Sequence, residues 1–294
     1  MAAHVPPQEP ELGRSISQPE VRGRPAAVRH DGTVTSGTPP TGRVTSAVEL
    51  ERIAAQGWQG TSVDHLGGWL LRAGAGFTGR ANSVLPLDSP GLGLPDALAV
   101  VTGFYRGHGL PPWFQIPSET SDYCDELDRD LAGRGWEAFN HTAVMTATVP
   151  QILAAGRTRA DLPAVTVAPR PDAVWRSGYL YRGSPLPAAA VAVLEQADGP
   201  GFASVVQDGR LIGVARGVVT EGWLGITAVT VHEGHRRRGI GTHLMRGLIG
   251  WGQDRGARSI YLQVDETNEG ALALYRAQGF TRHHGYHYRR PPTD

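Results

Sequence analysis

Residues 229–244 read Val-Thr-Val-His-Glu-Gly-His-Arg-Arg-Arg-Gly-Ile-Gly-Thr-His-Leu, an apolar strand end running through an arginine- and glycine-rich turn into a helix. From Arg236 the turn has the form R-x-x-G-x-G. Glycines here let the backbone turn sharply and approach a ligand closely. Apolar residues follow at Ile240, Leu244, Met245, Leu248 and Ile249, a helical spacing that sets one stripe on a core. The glycines therefore stand at a helix N-terminus, where free N–H groups and the positive end of the helix dipole suit a pyrophosphate. Arg236, Arg237 and Arg238 add charge for phosphates.

Taken alone, the pattern also fits a solvated arginine run ended by a flexible turn. Its surroundings argue for a site. Trp223 to Val231 reads as a buried strand before the turn, and Ser259 to Val264 as a second strand after the helix. The loop G-x-x-x-x-G-K-[ST] of nucleotide triphosphatases is absent, and all 28 basic residues are arginine. These residues do not supply the G-x-G-x-x-G of a dinucleotide site either.

A second signature follows, Asn268 and then Ala-Leu-Ala-Leu-Tyr-Arg-Ala-Gln-Gly-Phe at 271–280. Together the two resemble the GCN5-related N-acetyltransferase superfamily, over roughly Val165 to Arg290. The resemblance implies acetyl-CoA as co-substrate, no metal, and direct acetyl transfer to an amine. It implies that the loop of Arg236, Arg237, Arg238, Gly239, Ile240, Gly241 and Thr242 holds the pyrophosphate. It implies that Val229, Thr230 and Val231 pair with the pantetheine arm as an added pseudo-strand. Asn268 would contact the cofactor arm, and Tyr275 would protonate the departing thiolate. A tyrosine hydroxyl, with an ordinary pKa of about 10, is protonated at neutral pH and can act as a general acid; the bland alternative is a helix aromatic packed through its ring. The strand Trp223 to Val231 has no carboxylate, so the general base stays open among Glu221, Asp265 and Glu266.

The remainder of the chain shows an internal repeat. Phe104 to Ile116 followed by Asp122 to Trp136 has the layout of Trp251 to Val264 followed by Asn268 to Phe280. Gly135-Trp136 matches Gly279-Phe280 at an offset of 144 residues, which sets Cys124 against Asn268 and Leu131 against Tyr275. The first copy has Pro-Gly-Leu-Gly-Leu-Pro-Asp at 90–96 where the second has its arginine loop. The expected fold is α/β (α+β), two tandem lobes of this family, each a mixed, mostly antiparallel sheet flanked by helices. The expected division is a disordered tail at 1–43, a degenerate lobe at 44–150, a linker at 151–164 and a catalytic lobe at 165–290. Gly68 to Leu87 extends the resemblance to two-lobed actinobacterial acetyltransferases, some named N-acetylglutamate synthases.

Composition bounds the partners. The 294 residues are 40% hydrophobic and 19% charged with zero formal net charge, a globular balance without the basic face of a nucleic-acid protein. No apolar run approaches a membrane span or a signal-peptide core, so a cytoplasmic location and no membrane partner are expected. The single cysteine, Cys124, precludes an intramolecular disulfide and reads as a small buried hydrophobe. His283 and His287 would share a strand face, but nothing nearby in sequence completes a metal site. Asp208-Gly209 reads as a hairpin turn. The expected acceptor is a small-molecule amine, with an amino acid such as glutamate first. A protein N-terminus or lysine, or a non-catalytic acyl-CoA sensor, are the alternatives, and the assembly is a monomer or homodimer.

Overall fold

Short apolar segments separated by turn residues build a single mixed sheet. A computed structural model describes residues 45–154, 159–181 and 184–292; the expected tail at 1–43 falls outside them. The first half runs α1 (Ala47–Gly57), β1 (Ser62–Leu66), β2 (Trp69–Ala73), β3 (Val84–Pro86), α2 (Leu94–Gly107), β4 (Phe114–Ser118), α3 (Asp122–Gly133), β5 (Glu137–Thr148) and α4 (Val149–Ala154). The second runs β6 (Thr166–Ala168), α5 (Ala173–Gly178), α6 (Ala190–Glu195), β7 (Gly201–Gln207), β8 (Arg210–Thr220), β9 (Trp223–Val231), α7 (Ile240–Gln253), β10 (Ser259–Asp265), α8 (Glu269–Ala277) and β11 (Thr281–Arg290). Among the described residues no helix is long and apolar enough to cross a membrane.

Among the described residues eleven strands join in the order β1-β2-β3-β4-β11-β5-β10-β9-β8-β7-β6. The two expected sheets thus meet edge to edge, and they do so by exchange. The last strand of the chain, β11, lies between β4 and β5, while β5 lies between β11 and β10. The closing strand of each half of the chain thereby pairs with a strand of the other half.

Strand alternation divides the layers. Met145, Leu262 and Val264 face a core closed by Ile240, Leu244, Met245, Leu248 and Ile249 of α7 and Leu272 of α8. Burying an aliphatic side chain of this size contributes about 1.5–3 kcal/mol. Next to it, Phe114 and Ile116 pack against Val101 and Tyr105 of α2 and Leu131 of α3. The opposite face carries α1, whose Leu50, Ile53 and Ala54 meet Val144, Tyr261, Tyr286 and Tyr288. Ser46 caps α1, its Oγ accepting the Glu49 N–H at 3.2 Å, as its S-x-x-E sequence favours. Buried Glu51 fastens the helix to the sheet, accepting from Gln115 Nε2 at 2.9 Å and lying 2.9 Å from His284 Nε2.

Asp208 and Gly209, both at positive φ, form the two-residue turn between β7 and β8. Cys124 is fully buried in α3. The shared face expected for His283 and His287 is not formed. A bulge between Arg282 and His284 breaks the alternation, so His283 turns to the Thr45 carbonyl before α1 while His287 meets Asp128 on α3. Among the described residues no group of three or more His, Cys, Asp or Glu side chains gathers to hold a metal.

Candidate active site

β9 and β10 run parallel and pair from Trp223–Ser259 to Ile226–Leu262; beyond that β9 continues to Val231 and β10 to Asp265 without pairing each other. The strands part there, as an added ligand strand requires. At the same point the β8–β9 register shifts: Arg216 opposes Thr227 and Val214 opposes Thr230, so Ala228 and Val229 bulge out of the ladder. Ala228 has a φ of 56°, which turns the strand locally.

The loop after β9 delivers most of the expected residues to one place. Arg236, Arg237, Gly239, Ile240, Gly241 and Thr242 line a cavity of about 270 Å³ together with Val231, and Gly270 and Leu274 of α8 form its other wall. Gly239 caps α7 with a φ of 79°, a conformation open to glycine at no steric cost. Arg236 donates through Nε to the Val231 carbonyl at 3.3 Å. Arg238 is turned out of the cavity; its carbonyl accepts from Arg159 Nη1 at 3.3 Å. Val229 and Thr230 lie at the bulge.

Two buried polar atoms here have no partner among the described residues, Nδ1 of His235, which lines the cavity, and Oγ1 of Thr227, where β9 leaves β10. Buried polar groups are ordinarily hydrogen-bonded. These orphans, beside a helix N-terminus and arginines, fit a ligand carrying a pyrophosphate and an amide-rich arm.

Asn268 acts as a helix cap. Its Oδ1 caps α8 by accepting the Ala271 N–H at 3.1 Å, which fixes the wall opposite the loop. Tyr275, in the last turn of α8, packs its ring 6.0 Å from Phe280, and burial raises its hydroxyl pKa.

A larger cavity, about 650 Å³, opens on the other face of the sheet. Its walls include Thr78, Arg80 and Asn140 from the first half, Tyr179 and Tyr181 from the segment after α5, and Tyr286 and Tyr288 from β11. Gln263 and Asp265 of β10 form its side nearest the strand gap. Alternation along β10 puts them on the face of Tyr261, which packs against α1, while Leu262 and Val264 point to α7 and α8. The arginine loop and this cavity therefore approach the gap from opposite sides.

The three carboxylates weighed as bases now separate. Glu221 stands at the far end of β9, held bidentately by Arg52 at 2.8 Å and by Gln56 at 3.1 Å; these hydrogen bonds lower its pKa to about 2. Glu266 faces Arg282 at 3.6 Å. Only Asp265 of the three lines the cavity; one of its oxygens accepts from the N–H and hydroxyl of Thr267, at 2.8 and 2.7 Å.

The first half has a cavity of about 160 Å³, beside Ser89, Pro90 and Leu94. At the 144-residue offset, Glu126 stands where α8 has Gly270 and Asp130 where it has Leu274. Two carboxylates and no arginine line it, the opposite of an anion site.

The chain is similar to known proteins in sequence and in fold. A family model described as "Probable histone acetyltransferase Rv0428c C-terminal" matches residues 45–289. The chain is 31% identical over 246 residues to the probable histone acetyltransferase Rv0428c of Mycobacterium tuberculosis, covering 81% of this chain and 72% of that protein. In fold it is similar to a GCN5-related N-acetyltransferase from Kribbella flavida, with a TM-score of 0.61, 15% identity, and coverage of 84% and 96%. It is also similar to a tandem protein of that fold from the clavulanic acid biosynthesis pathway, with a TM-score of 0.55, 16% identity, and coverage of 86% and 91%. With its strand gap, bulge and arginine-glycine loop in place, the chain belongs to the GCN5-related N-acetyltransferase family, in the group of the mycobacterial Rv0428c protein, and is an N-acetyltransferase.

Proposed function

We propose that this enzyme, acting in the cytoplasm, moves acetyl from acetyl-CoA directly to the amine of a small molecule, with an amino acid such as glutamate as the first acceptor to test. The observation that carries this reading is the pair of cavities meeting at one gap between β9 and β10, an anion-binding one and a polar-aromatic one. In it, residues 165–290 form the catalytic lobe. Residues 44–150 form a lobe whose own anion site is lost and whose remaining task is to wall the acceptor cavity.

Acetyl-CoA supplies an activated thioester. The loop of Arg236 to Thr242 and the N-terminus of α7 bind its diphosphate, with His235 and Thr227 satisfying their buried polar atoms on it. Val229, Thr230 and Val231 offer strand-edge hydrogen bonds to its arm. Asp265 receives the amine, and its oxygen not bonded to Thr267 takes up the proton that the amine sheds. Backbone N–H groups at the Ala228 bulge stabilise negative charge developing on the carbonyl oxygen. Tyr275 hands its proton to the leaving sulfur.

The Mycobacterium tuberculosis relative is named for histones, which makes a protein lysine the second reading. The cavity favours the small acceptor, because two arginines and a single carboxylate line it. The test is acetyl-CoA-dependent thiol release by purified protein across amino acids, polyamines, aminoglycosides and histone-tail peptides. Release with a free amino acid and none with the peptides is expected; the reverse establishes the protein acceptor.

A further inference from the structure

At the Arg80 wall of the acceptor cavity lies a charge arrangement that the transfer chemistry does not use. Trp58, just after α1, is held by its indole N–H, which donates to Thr78 Oγ1 at 2.8 Å. Two guanidinium groups lie over its ring, that of Arg80 at 4.6 Å from the centroid and that of Arg216 at 5.0 Å. Arg216, 1% exposed, donates to the carbonyls of Leu194 (2.8 Å) and Gly57 (3.0 Å), and its Nη2 is buried with no partner among the described residues. Arg80 lines the cavity and donates to Gln263 Oε1 at 2.5 Å.

Among the described residues neither arginine has a carboxylate within ion-pair distance. Burial foremost, with the charge of Arg80 adding to it, brings Arg216 down to about 10. Two like charges brought together with little solvent and no counter-charge cost free energy. A fold that keeps them beside a cavity is compensated when the ligand brings the counter-charge.

The spacing specifies what else that ligand carries. Gln263, which bonds Arg80, and Asp265 are two residues apart on the same face of β10, about 7 Å. The cavity thus offers a guanidinium fork beside Gln263 and, about 7 Å along β10, a carboxylate next to the strand gap.

We infer that Arg80, seated on Trp58 and backed by Arg216, determines acceptor specificity by recognising a carboxylate carried by the amine substrate. This rests on the reading of the 650 Å³ cavity as the acceptor site. The planar fork of arginine matches a carboxylate bidentately. A polyamine or a lysine side chain brings a second cation or an alkyl chain to the same place and gains nothing there.

The test measures product binding, so that it does not depend on turnover. N-acetyl derivatives of aspartate, glutamate, ornithine and tyrosine are titrated calorimetrically into the full chain, with and without CoA. Each is matched with the N-acetyl derivative of the amine that lacks the α-carboxylate. At least one acid is expected to bind tenfold or more tightly than its decarboxylated match. Arg80→Ala abolishes that preference and Arg80→Lys restores part of it, thermal melting confirming that both variants fold. Equal binding within every pair, no binding by any acid, or a preference that survives Arg80→Ala overturns the inference. CoA binding is read separately in the same titrations. Protein that binds CoA and acetylates amines without regard to the carboxylate refutes the role of Arg80 alone, whereas failure to bind CoA refutes the acetyltransferase mechanism.

Discussion

Tyr275 is the residue on which the proposed chemistry turns most directly. Its ring is fixed against Phe280, and burial raises its pKa, so the hydroxyl keeps its proton at neutral pH and is suited to give it to a thiolate. Tyr275→Phe, which retains the ring packing, should lower kcat about 100-fold with CoA affinity retained. Thiol release and calorimetry read the two quantities, and an unaltered kcat removes Tyr275 from the mechanism. Residues of this kind were legible because their neighbours in sequence are their neighbours in space. The arginine-glycine loop, the strand before it and the helix frame around Tyr275 are all local patterns. Asn268 was expected on the cofactor arm; the bond the structure shows for it is the cap of α8, which is visible only once that helix is built. Glu221 misled for the opposite reason, since its partner Arg52 is 169 residues away. The setting of Arg80 was hidden likewise, as Trp58, Arg216 and Gln263 reach it from three separate elements.

Elements followed periodicity where one face is buried. The apolar stripe of α7 and the runs of β9 and β10 fell where the pattern put them. β11 was harder, because its bulges reset which side chains face α1 and which face α3. That reset sends His287 and Arg289 to α3, where both meet Asp128, at 2.8 Å from His287 Nε2 and at 2.8 and 2.9 Å from Arg289 Nε and Nη2. Burial opposes ionisation of Asp128, but the hydrogen bonds and charges of Arg289 and His287 outweigh it and hold the carboxyl well below its usual range. A depressed folded-state pKa stabilises the fold above the unfolded value of about 3.9, and the contribution fades as pH falls toward the folded value. Asp128→Asn should therefore cost about 2 kcal/mol at pH 7. Urea denaturation at pH 7 and pH 3 should show the gap to wild type narrowing at the lower pH; a constant gap would rule out the ionised pair as its source.

At the scale of the whole molecule, the sequence suggests a repeat but gives no hint that β11 sits between β4 and β5. That exchange of closing strands carries no local signal, since each half of the chain would read the same if it kept its own closing strand. Exchange makes the halves interdependent. Residues 159–294 alone would leave β10 and β11 without β5, and residues 44–154 would leave a gap between β4 and β5. Each fragment should lack cooperative thermal unfolding by circular dichroism, and mixing the two should restore it; a separately folded fragment 159–294 contradicts the interlock. The same exchange constrains biosynthesis. β5 ends at Thr148, and β11, which must slide in beside it, begins at Thr281. At elongation speeds of roughly 5–20 residues per second the ribosome needs on the order of ten seconds to make the intervening chain. Throughout that time β4 and β5 wait with unpaired backbone edges, a nascent state suited to chaperones, and the centre of the sheet closes only when the last strand leaves the exit tunnel.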